Sequence, residues 1–194
     1  MRLAEVPGCI PRTESRFARW LGITVLRLLG WKVTGAFPNE KKFICAVAPH
    51  TSNWDFVIGV AVMLALQLKI KFLGKNAIFV WPFAGLLKRI GGIPVDRSHR
   101  HGVVGQMVKQ FDESEQMVFA LAPEGTRSKT LEWKTGFLHI AHQAKVPVVP
   151  VSLHFDRKEV YIQPATQIGE DIPHELARIK TCFATACAKN PQAV

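Results

Sequence analysis

The 194-residue chain is 48% hydrophobic with a formal net charge of +10, which gives apolar content enough for one domain with a sizeable core and excludes a disordered chain. The charge is lopsided: residues 1–97 hold 14 Lys or Arg against 5 acids, and residues 98–194 hold 11 against 10. Such a field suits phosphate-bearing partners, an anionic membrane surface or an acidic carrier protein, while four cysteines without a CxxC pair speak for reduced thiols and against a zinc site.

No apolar stretch follows Met1-Arg2 as a secretory signal would require, so the expectation is a protein of the cytoplasmic side. The longest run free of charged or strongly polar residues, Phe56 to Leu66, is 11 residues, short of the ~20 that cross a bilayer. Residues 12–32 form the first organised segment. At helical periodicity Phe17, Trp20, Leu21, Thr24, Val25, Leu28 and Trp31 fall on one arc and Arg12, Arg16, Arg19 and Arg27 on a neighbouring one, with Ile23 and Leu26 outside the pattern. Such a helix fits the headgroup region of a membrane, and equally the domain's own core with its charges solvated. We therefore divide the chain into residues 1–40, an amphipathic membrane-associating segment, and residues 41–194, the main domain.

Trp31 to Lys42, with Gly35, Pro38 and Asn39, reads as a turn or short hairpin. From there strands and helices alternate, the signature of an α/β domain with a mostly parallel central sheet flanked by helices. Strands are expected at Lys42–Ala48, Lys69–Gly74, Ile93–Val95, Gln116–Ala122 and Val146–Phe155, with an edge strand at Val160–Gln163. Helices are expected at Trp54–Leu66, Pro82–Ile90, Gly102–Phe111, Gly136–Lys145 and Ile172–Lys189.

Three polar clusters sit at strand carboxyl ends, where open α/β sheets bind ligands. In the first, His50 and Asp55 lie five positions apart, so on one continuous helix they would not share a face. A strand stopped by Pro49, followed by a helix capped by Ser52 or Asn53, brings Asp55 back towards the imidazole as the orienter of a general base. Ser52-x-x-Asp55 also fits a capping pattern in which the acid serves only backbone donors. The second cluster is Asp96-Arg97. The third is Glu124-Gly125-Thr126-Arg127-Ser128, in which Arg97 and Arg127 offer planar forks to a phosphate, Gly125 allows close backbone approach, Thr126 adds a hydroxyl, and Glu124 can hold an arginine or bond a substrate hydroxyl. Surface ion pairing is the plainer account of each arginine.

Taken together and in order, His50-Thr51-Ser52-Asn53-Trp54-Asp55 (HxxxxD), Gly92 to Arg97, Glu124 to Ser128 (EGTR then Ser) and Val146 to Val151 resemble the blocks of the glycerolipid and lysophospholipid acyltransferase family, over about residues 42–155. The resemblance implies transfer of a fatty acyl group from acyl-CoA or acyl-ACP to the free hydroxyl of a lysophospholipid, 1-acylglycerol-3-phosphate above all. His50 would be the base, Asp55 its orienter, and Arg97, Glu124, Gly125, Thr126 and Arg127 the acceptor's ligands. It implies no metal and no cofactor beyond the thioester, a peripheral place on the cytoplasmic membrane face, and no nucleic acid partner.

Other readings of the residues are weaker. No GxSxG elbow supports a hydrolase using Ser52, Ser98 or Ser128. No HExxH or acidic cluster accompanies His99-x-His101 or His139-x-x-His142. A non-catalytic lipid binder, and acylation of another lysolipid such as lyso-ornithine lipid, stand as alternatives.

Overall fold

The computed structural model describes residues 2–75, 80, 83–95, 100–126, 130 and 132–193. In chain order the elements are α1 (Arg16–Leu29), β1 (Lys32–Gly35), β2 (Lys42–Ala48), α2 (Asn53–Ala65), β3 (Ile70–Lys75), α3 (Phe83–Arg89) and β4 (Gly92–Val95). They continue with α4 (Arg100–Glu113), β5 (Met117–Leu121), α5 (Gly136–Ala144), β6 (Val148–His154), β7 (Glu159–Ile162) and α6 (Ile172–Thr181).

The centre is β2, where the two-residue period of an extended chain divides one apolar run between two layers. Phe43 and Cys45 enter a core with Leu26, Ile58 and Val62, while Ile44, Ala46 and Ala48 enter a second with Phe111, Phe137 and Ile179. A strand apolar on both faces must be covered on both: α1 and α2 close the first side, and α4, α5 and α6 the second. Among the described residues the strands form one sheet in the order β1-β7-β6-β2-β5-β3-β4. From β6 through β4 all neighbours are parallel, whereas β7 runs antiparallel to β6 and β1 parallel to β7. The expected mostly parallel α/β architecture is present, with two reversed strands along one edge.

Three local expectations are corrected. The turn or hairpin placed at residues 31–42 contains β1 instead: Lys32 N–H donates to the Lys158 carbonyl at 3.0 Å and Val33 is fully buried, a pairing with a distant strand that local sequence does not encode. That pairing also covers β7, so the expected edge strand is an inner one. Finally, α6 stops at Thr181 instead of running to Lys189. The Thr181 hydroxyl donates to the Arg178 carbonyl at 2.7 Å, Phe183 turns onto Trp133 with ring centroids 5.3 Å apart, and Thr181, Cys182 and Phe183 in succession give weak helical propensity.

The first helix carries two apolar faces. Leu26, outside the sequence pattern, is fully buried, and Gly22 packs so tightly on α2 that a Cβ there would lie 2.7 Å from the Ala61 carbonyl oxygen. The arc singled out by periodicity faces outward: Phe17, Trp20 and Leu28 are 70%, 57% and 82% exposed. Two of its members turn inward: Val25 packs against the core, and, since α1 ends at the left-handed Gly30, Trp31 is buried edge-on against Phe155. Because Thr13 N–H donates to the Gln67 carbonyl at 2.8 Å while Gly22 meets Ala61, α1 runs antiparallel to α2. Its carboxyl half therefore lies beside the amino-terminal half of α2. Among the described residues no helix is long and apolar enough to cross a membrane.

Burial pushes the Cys45 thiol up to about 12, far from the range in which thiolates form at neutral pH. Alkylation by iodoacetamide at pH 8 is accordingly expected to spare Cys45 in the folded protein and to reach it in urea, as mapped by peptide mass. Labelling of Cys45 at the rate of the partly exposed Cys9 would contradict this packing.

Candidate active site

The strand β2 stops at Ala48, and the next residues turn into α2 through a cap built from their own side chains. Ser52 has the extended backbone of an N-cap (φ −150°, ψ 166°), and its hydroxyl accepts from Trp54 N–H at 3.1 Å. Asp55, in the first turn, reaches back to accept from Thr51 N–H at 2.7 Å and Ser52 N–H at 2.6 Å, and its other oxygen accepts from the Ser52 hydroxyl at 3.1 Å. The oxygen that takes both amides also lies 3.3 Å from His50 Nδ1. The capping reading and the orienting reading are thus the same contact set: the turn that satisfies the helix start is what folds a carboxylate under the imidazole.

Asp55 is almost completely buried, whereas the His50 side chain is 23% exposed. Burial works to raise the Asp55 carboxyl, but the His50 contact and the Ser52 bonds outweigh it, and the net direction is down. An ionised Asp55 facing Nδ1 selects the tautomer with its proton on Nδ1, which leaves Nε2 as the proton acceptor.

The second cluster to reach this turn comes from β5, the parallel neighbour of β2, with Ala46 opposite Leu121. Glu124, three residues past the end of β5, is buried and accepts His50 N–H at 2.7 Å. Burial raises its carboxyl, helped by the nearby Asp55 charge and opposed by His50. The two carboxylates pull stability in opposite senses. The Asp55 contribution is present above its ordinary range and lost as pH falls through its lowered pKa; that of Glu124 is present at low pH and lost as pH rises through its raised one. Beside Glu124 the chain turns through Gly125 at φ +66°, a left-handed conformation that disfavours a side chain. A Cβ there would lie 3.2 Å from Lys134 Cγ, and Lys134 N–H donates to the Pro123 carbonyl at 2.8 Å, so the lysine's stem lies over the turn.

A family model described as Acyltransferase matches residues 31–154, most of the sheet together with both of these turns. The chain belongs to the acyltransferase family. Among curated relatives it is 32% identical over 151 residues to the 1-acyl-sn-glycerol-3-phosphate acyltransferase of Haemophilus influenzae, covering 73% of this chain and 61% of that one. The enzyme of the same name from Escherichia coli is 33% identical over 151 residues, covering 73% and 60%. The chain thus spans about three fifths of the length of these relatives. In fold it is similar to the crystal structure of a 1-acyl-sn-glycerophosphate (LPA) acyltransferase from Thermotoga maritima, with a TM-score of 0.63 at 21% identity, over 86% of this chain and 75% of that one.

In this chain His50, Asp55 and Glu124 come together, with Gly125 and Thr126 on the same turn as Glu124. Arg97 and Arg127 lie outside the described residues, as do Asp96 and Ser128. The strand before Arg97, β4, stands three places from β2 in the sheet, roughly 14 Å at ordinary strand spacing. Ser52, weighed as a nucleophile, instead directs its hydroxyl to the cap. His142 Nδ1 lies 3.3 Å from the Ile168 carbonyl oxygen, and His139 is exposed.

Two contacts escaped sequence reading. One is the bond from the His50 backbone to Glu124, which joins residues 74 apart. The other comes from Asn190, whose backbone N–H donates to Thr51 Oγ1 at 3.3 Å and whose side-chain Nδ2 donates to the Thr51 carbonyl at 3.1 Å. The strand register, not any local pattern, creates the first; the early end of α6 creates the second.

Proposed function

We propose that this acyltransferase moves a fatty acyl group from the thioester of acyl-CoA or acyl-ACP to the free hydroxyl of 1-acylglycerol-3-phosphate, giving phosphatidic acid. The observation that carries the reading is the His50–Asp55 pair, with Nδ1 turned to a buried carboxylate and the imidazole itself partly exposed. His50 Nε2 removes the hydroxyl proton as the acceptor oxygen attacks the thioester carbonyl carbon. The C–S bond then breaks, and the departing thiolate takes the proton from the imidazolium. Asp55 stabilises the charge that forms on His50, and Glu124 fixes the backbone from which the ring hangs. Arg97, Gly125, Thr126 and Arg127 bind the acceptor's phosphate and glycerol, with Glu124 at the edge of that site. The reaction calls for no cofactor and no metal beyond the thioester co-substrate.

The same proposal places the protein peripherally on the cytoplasmic, anionic membrane face, where its acceptor resides, through the outer arc of α1. Phe17, Trp20 and Leu28 are exposed there, with Arg16 and Arg27 beside them, and Trp54 and Val57 of α2 are exposed as well. Replacing Phe17 and Leu28 together with serine is expected to reduce co-sedimentation with vesicles containing phosphatidylglycerol by at least about tenfold, since each large side chain contributes roughly 1.5–3 kcal/mol on burial. Thermal stability should be unchanged because neither residue is buried. Unaltered sedimentation would put the membrane face elsewhere.

The reaction is tested by giving the purified protein in detergent both thioester donors against a panel of lysolipids and identifying the products by mass. Phosphatidic acid as the main product supports the proposal. Acylation of another lysolipid alone overturns the acceptor, and absence of any acylated product overturns the reaction.

A further inference from the structure

The segment after α6 lies outside the residues that the family model matches, yet it closes over the catalytic turn. It is fixed to the end of β6 first: Phe155 N–H donates to the Cys187 carbonyl at 2.9 Å, and Cys187 bridges His154. Ala188 is then buried, the Lys189 ammonium sits 4.4 Å from the centroid of the Trp54 ring, and Asn190 makes its two bonds to Thr51. Backbone pairing thus anchors the segment to the end of β6, and from there a cation–π contact and a pair of hydrogen bonds reach the six residues from His50 to Asp55.

The placement of the Asn190 amide gives this contact its meaning. The peptide group between Thr51 and Ser52 accepts from Asn190 Nδ2 at its carbonyl and donates to Asp55 Oδ2 at its N–H. That same Asp55 oxygen faces His50 Nδ1. The donor–acceptor chain therefore runs from Asn190 through one peptide to the carboxylate and on to the base, and hydrogen bonds in such a chain polarise one another. We infer that Asn190 is a positioning residue for the reaction: by holding the Thr51–Ser52 peptide from outside, it keeps Asp55 under His50 and the ring aimed at the acceptor hydroxyl. This inference rests on the reading of His50 as the general base.

Asn190 is exposed, so its replacement leaves the core intact. The test compares the full chain with Asn190→Ala and with Asn190→Asp, which keeps the shape but replaces the donating Nδ2 with an acceptor. Both variants are expected to lower kcat by about five- to tenfold, the scale of one or two ordinary hydrogen bonds. KM for donor and acceptor should stay within about twofold and the melting temperature within about 2 °C of the parent. In parallel, the His50 Nδ1 proton, recorded by NMR with 15N-histidine label, should give a hydrogen-bonded signal in the parent that broadens in both variants. A kcat within twofold of the parent, a loss confined to KM, a kcat restored by aspartate, or an unchanged Nδ1 signal overturns the inference. If the parent transfers no acyl group the proposed reaction fails, and with it the positioning role; the Nδ1 signal then still reports whether the clamp orders His50.

Discussion

Replacing His50 with alanine is expected to lower kcat for acyl transfer by about 10²- to 10⁴-fold, the usual share of a positioned general base. KM should move little, because the groups assigned to the acceptor's phosphate belong to other clusters. His50 is partly exposed and its backbone N–H, which Glu124 accepts, survives the substitution, so the fold should be retained. Steady-state kinetics beside a thermal melt separate the two effects. A large fall in melting temperature with kcat per folded molecule preserved would contradict the role given to the ring.

The second large effect concerns Asp55, where two substitutions divide its two duties. Asp55→Asn keeps one oxygen for the Thr51 and Ser52 amides and for His50 Nδ1, with its NH2 beside the Ser52 hydroxyl, but it removes the negative charge that stabilises the imidazolium formed when His50 takes the proton. A loss in kcat of at least about 10²-fold with modest destabilisation is expected. Asp55→Ala removes the acceptor altogether and leaves the Thr51 and Ser52 amides at the helix start, the first of them buried, without their partner. It should cost about 2–4 kcal/mol of folding stability as well as activity, read by urea unfolding. Equal stability of the two variants would show that the cap does not depend on this carboxylate.

How much of this was legible in the sequence depends on how local each cause is. β2 could be read to the residue because burial on both faces leaves a continuous apolar run, and α2 because Ser52 and Asp55 are sequence neighbours that form its cap. The apolar arc of α1 was found, but which face meets α2 was not. Gly22 and Leu26 form a second, narrower stripe whose importance comes from the approach of Ala61 and Ala65, which periodicity in α1 alone cannot weigh. β1 escaped because its partner is a strand near the other end of the chain. The motif pattern brought Glu124 into the site, yet its contact with the His50 backbone depends on Ala46 and Leu121 being opposite one another in register. Asn190 could not have been found while α6 was expected to run to Lys189, the residue before it, instead of ending at Thr181.

The most direct measurement is the rate of phosphatidic acid formation from 1-acylglycerol-3-phosphate by the purified parent and by His50→Ala, side by side at saturating thioester. The account predicts turnover by the parent and a rate at least about 10²-fold lower in the variant, with the variant still folded. Equal rates in the two proteins, or no transfer by the parent with either donor, would contradict it.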